Sequence, residues 1–109
     1  MIEFTAAGSP RVVSRAIEAY ATAQGSVSAI VVPWESDDAA LRMAVTSMKT
    51  DGWAIEHINL GTIILSDAGH DRTHVAFAPG APDHEDRQKL FAFFDRFAAK
   101  VSTQFALTS

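Results

Sequence analysis

The sequence predicts a single α+β domain, a mixed or antiparallel sheet packed by helices. Three observations lead there. Apolar residues recur at helical spacing between recognisable caps in several stretches. Short apolar, β-branched runs lie between those stretches. Two such runs flank the polar segment Asp67 to Arg72 and form a hairpin, which a purely parallel sheet cannot hold. With 109 residues there is room for one core, so residues 1–109 are read as one compact domain.

The predicted order is β-α-β-α-β-β-β-α. Ile2 to Thr5 is a short strand. Ser9 makes an N-cap with Pro10 at the first helical position, and Gly25 closes the helix. Within it Val13, Ile17, Tyr20 and Gln24 share a face, with Arg15, Glu18 and Thr22 opposite. Ser28 to Val32 is a continuous apolar run, typical of strands covered on both faces and often of central ones. Pro33 ends it, and Trp34 is placed to staple the start of a second helix.

That second helix is expected from about Asp38 to Thr50, with Leu41, Ala44, Val45 and Met48 as its stripe and Gly52 just past its end. Trp53 to Ile58 reads as a strand. Asn59-Leu60-Gly61 is either a tight turn or a bulge in a longer strand. In the hairpin, pairing Asp67 with Arg72 sets Ile64 opposite Val75 and Thr62 opposite Phe77 on the core side. Asp83 caps a long C-terminal helix, with Glu85 and Asp86 in its first turn, running to about Phe105. Leu90, Phe94, Phe97, Val101 and Phe105 form its stripe, widened by Phe91, Phe93 and Ala98.

Composition narrows the functional classes. The chain has no cysteine, which excludes disulfides, thiol catalysis and cysteine-ligated zinc. Together with an N-terminus lacking a basic and an apolar region, this favours a cytoplasmic setting. No apolar run reaches the roughly 20 residues that span a bilayer, so no membrane is expected. A net charge of −4 with nine dispersed Lys and Arg residues argues against nucleic acid.

No catalytic or phosphate-binding signature is present: G-x-S-x-G, G-x-G-x-x-G and the P-loop pattern are all missing. Asp67, His70, Asp71 and His74 cluster around the hairpin turn. In the register above Asp67 and His74 share a face, so the carboxylate would orient the imidazole as a general base. Turn chemistry explains the same residue types, and no further ligand at helical spacing supports a metal. His57, beside Glu56, is the third candidate. It points away from Glu56 and shares its face with Trp53 and Ile55. No cofactor and no metal are expected.

The apolar face of the last helix is broader than packing on one surface requires. Four of the seven phenylalanines lie between positions 91 and 97, and Phe91, Phe93 and Phe94 are the interface candidates. The leading reading is therefore a non-enzymatic binding or adaptor module that self-associates as a homodimer, with an unidentified protein partner left open. The alternative is a small enzyme with a His/Asp acid-base or metal site near the 66–74 hairpin. A further alternative is a carrier with an apolar-ligand cavity between sheet and last helix.

Overall fold

A computed structural model describes residues 2–37, 40–51, 54–80 and 86–107, by backbone alone at 49–51 and 54–56. The order is β1 (Ile2–Ala7), α1 (Pro10–Gln24), β2 (Val27–Val31), β3 (Ala40–Asp51), β4 (Ala54–Gly69), β5 (Arg72–Pro79) and α2 (Arg87–Phe105), with a 3-10 turn at Pro33–Glu35 after β2. The strands form one antiparallel sheet in the order β1-β5-β4-β3-β2. The class is α+β, as the hairpin requires.

Local signals formed α1 as expected. Ser9 Oγ accepts from Val12 N at 3.3 Å, Pro10 opens the helix, and Gly25 at φ +82° ends it in the left-handed conformation. Val13, Ser14, Ile17 and Ala21 face the sheet.

The expected second helix is instead β3. Two periods compete in that segment. Leu41, Ala44, Val45 and Met48 fit a helix, but Leu41, Met43 and Val45 also alternate with Arg42, Ala44 and Thr46. Pairing on both sides, with β2 and β4, decides for the strand. Met43 and Val45 then become fully buried. Helix propensity is a weak prior beside two ladders and a core. Without that helix Trp34 has nothing to staple and stands 85% exposed. The positions assigned to the helix boundaries, Asp38 and Gly52, lie outside the described residues.

The strand expected to end at Ile58 and the first hairpin strand are one element, β4. Of the two readings of Asn59-Leu60-Gly61, the bulge is found: Val45 pairs with Gly61 and Thr46 with Asn59, leaving Leu60 as the extra residue. The bulge switches the inward parity, so Ile58 before it, Leu60 within it, and Ile63 and Leu65 after it all reach the core. Phe94 packs over this point. A Cβ on Gly61 would lie 2.5 Å from the Ala78 carbonyl oxygen and 2.8 Å from Phe94 Cζ.

The hairpin register is one residue from the expected one. Leu65 pairs with Val75, Ile63 with Phe77, and Ser66 with His74. The turn is tighter than an Asp67–Arg72 pairing allows. His70 and Asp71 form a two-residue loop, both at positive φ (54° and 58°), and Ala68 is skipped in the pairing. Two positive φ values mark the turn whose twist matches a hairpin. Since side chains alternate, a one-residue shift exchanges faces. Ile63, not Ile64, is core.

All inward residues meet α1 and α2 on one side of the sheet. Phe77 anchors the centre, with Phe94 and Phe97 edge-on at ring-centroid distances of 5.9 and 6.3 Å. Phe94, Phe97, Ala98 and Val101 of α2 are buried, in the phase the stripe predicts. Asp86 occupies the N-cap; Asp83 and Glu85 lie outside the described residues. Thr73, fully buried, donates from Oγ1 to the Gly8 carbonyl at 2.7 Å and ties the hairpin to the β1–α1 connection.

Candidate functional site

The hairpin does not assemble the expected acid-base pair. Ser66 pairs with His74, so His74 lies on the sheet face opposite the helices. Asp67 pairs with Thr73, whose neighbours Val75 and Phe77 point to the helices. Asp67 and His74 therefore occupy opposite faces, correcting the shared face expected for them. Asp67 Oδ1 instead accepts from Gly69 N at 2.8 Å, a local turn bond. His74 Nε2 lies 3.5 Å from Glu3 Oε1 on β1, and both side chains are about half exposed, at 45% and 54%. A contact between two half-exposed side chains is weakly held and encloses no reaction space.

His57 is exposed and pairs with Met48, far along β4 from Ser66 and its partner His74. At about 3.3 Å per residue the separation is roughly 30 Å. His57 and His74 cannot share one site. Among the described residues, no group of three or more His, Asp or Glu side chains has metal-binding geometry.

The phenylalanines of α2 divide. Phe94, an expected interface residue, is 1% exposed and belongs to the core, so no partner can reach it. Phe93 is half-buried and packs against the same core. Phe91 is also half-buried. Much of the broad apolar face is used internally: Phe94, Phe97, Ala98 and Val101 are buried, and Leu90, Phe93 and Phe105 pack against the same core.

The two sheet edges differ more. At β1 the chain closes its own edge: Leu107 N donates to Thr5 O at 2.8 Å, and Ala106 bridges to Ala6. At β2, no strand among the described residues lies outside Val27–Val31. Val32 N donates to Arg42 O at 2.8 Å and Met48 N donates to Ser26 O at 3.0 Å, so the even-numbered residues bond inward to β3. The amides and carbonyls of Val27, Ala29 and Val31 therefore point out of the sheet.

Edge strands are commonly protected by charge, proline or a bulge. Val27–Val31 carries none of the three. Its run was expected at the centre of a sheet and is found at the edge. Two of the four large exposed apolar residues among those described, Ile30 at 51% and Trp34 at 85%, lie on this strand and the turn after it. The sequence held the signal, an uncharged β-branched run, but strand order decides its meaning.

Comparison of the chain with protein-family models, curated proteins and solved structures returned no match. No helix among the described residues is long and apolar enough to cross a membrane.

Proposed function

We propose that this protein is a non-enzymatic binding module that self-associates, two copies pairing through β2. The observation that carries the reading is the mismatch at that strand: central-strand composition on an open edge. A second copy removes the mismatch by making β2 internal. Antiparallel pairing centred on Ala29 sets Ala29 against itself and Val27 against Val31 of the second copy. All three outward amides and carbonyls are then bonded, and the contact is self-complementary, as a two-fold dimer requires. Ile30 then lies across from Ser28 of the second copy. The cysteine-free composition supports a cytoplasmic setting.

The test is mass in solution with a paired variant. Ser28→Lys with Ile30→Lys places like charges directly opposite each other across the dyad, while both positions lie away from the helix-packed core. A wild-type dimer that becomes a folded monomer in the double variant supports the proposal. A wild-type monomer at tens of micromolar overturns it. So does a dimer that survives the double variant but dissociates on Phe91→Ala, which would assign the contact to α2.

A further inference from the structure

One cleft lies at the opposite end of β2 from the α1–β2 connection. It has a volume of about 370 Å³ and lies between the first turns of α1 and residues of the stretch Val31 to Asp37 together with Leu41. That volume is within the roughly 300–1,000 Å³ of small-ligand sites. Its apolar wall is Val31, Pro33 and Leu41. Across from this wall stand Arg11 and Arg15, one helical turn apart on α1.

Neither guanidinium has an ion pair within 4.0 Å among the described residues. Arg11 is in the first turn of α1, where no acidic side chain offsets the positive end of the helix. The cleft also contains the carboxylates of Glu18 and Asp37. Asp37 is tied to the chain, its Oδ1 accepting from Ala40 N at 2.9 Å. Ser14 and Ser36 are internally bonded: Ser14 Oγ donates to Arg11 O at 2.8 Å, and Ser36 Oγ donates to Val32 O at 2.7 Å. The arginines thus remain as the donors for a ligand.

From this arrangement we infer a binding site for a small monocarboxylate with an apolar body. The carboxylate is held by the Arg11 and Arg15 forks, and the body lies on Val31, Pro33 and Leu41. Guanidinium forks match the planar oxygens of a carboxylate. Two acidic side chains in the same cleft oppose a second negative charge on the ligand, which selects a carboxylate over a phosphate dianion. The inference does not rest on the pairing of β2, and either can fail alone.

The experiment titrates octanoate into uniformly labelled protein and follows backbone amide resonances. Octyl phosphate and 1-octanol serve as comparisons, at a pH where the phosphate is doubly ionised. The expected result is saturable shifts confined to residues 11–18, 31–37 and 41, with octanoate tighter than both comparison compounds. Arg11→Gln with Arg15→Gln should weaken octanoate by about tenfold while leaving the melting temperature unchanged, since both side chains are exposed. Octanol binding as tightly as octanoate, equal affinity in the double variant, or shifts centred elsewhere would overturn the site. Octyl phosphate binding as tightly or more tightly would overturn the choice of a monoanion.

Discussion

Gly61→Ala tests the packing between β4, β5 and α2 at its tightest point. The added Cβ would lie 2.5 Å from Ala78 O, 2.8 Å from Phe94 Cζ and 3.0 Å from Gly80 N. Two of these three neighbours are backbone and cannot rotate aside. Gly80 N is itself committed, donating to Leu60 O at 2.9 Å. Relief therefore requires β4 and β5 to separate or the Phe94 ring to move out of its buried site. Overpacking of this kind costs about 2–3 kcal/mol, which for a domain near 100 residues lowers the melting temperature by roughly 10–15 °C. Gly25→Ala is the control: it introduces strain at φ +82° but meets no atom within 4 Å. Urea denaturation followed by circular dichroism gives both stabilities. A double variant with Phe94→Ala should cost less than the sum of the single changes, because one clash is removed. If Gly61→Ala costs no more than about 1 kcal/mol, the bulge does not sit under Phe94 as described.

Phe97→Ala should destabilise by about 3–5 kcal/mol in the same assay, since the ring is 4% exposed beside Phe77, and Phe93→Ala by clearly less. The reverse order would show that α2 is rotated from the stated phase. Replacing His70-Asp71 with Asn-Gly should stabilise the hairpin by about 0.5–1 kcal/mol, because those residues adopt positive φ more readily. A loss of stability on that change would contradict the two-residue turn.

The elements governed by neighbouring residues were legible in the sequence. Ser9, Pro10 and Gly25 act within a few residues of the ends of α1, so both boundaries could be read directly. The stripe of α2 was equally clear, since Phe94, Phe97 and Val101 leave one phase for burial. What failed depended on distant partners. The segment from Ala40 satisfies a helical and a strand pattern, and only its pairing with both β2 and β4 separates them. The hairpin register depended on whether Ala68 was paired or skipped, and that single residue moved Asp67 and His74 to opposite faces. The exposure of Ile30 is not legible in the sequence for a related reason. An apolar run states that a strand is to be covered, but its place in the sheet depends on which strands pair beside it.

That last point makes solution mass the most direct test of the account. Sedimentation equilibrium over a range from low to tens of micromolar should show a species of twice the 11.7 kDa chain mass. The Ser28→Lys/Ile30→Lys variant, shown folded by circular dichroism, should sediment at the mass of one chain under the same conditions. A wild-type protein that remains a single chain throughout that range would contradict the claim that β2 is completed by a second copy.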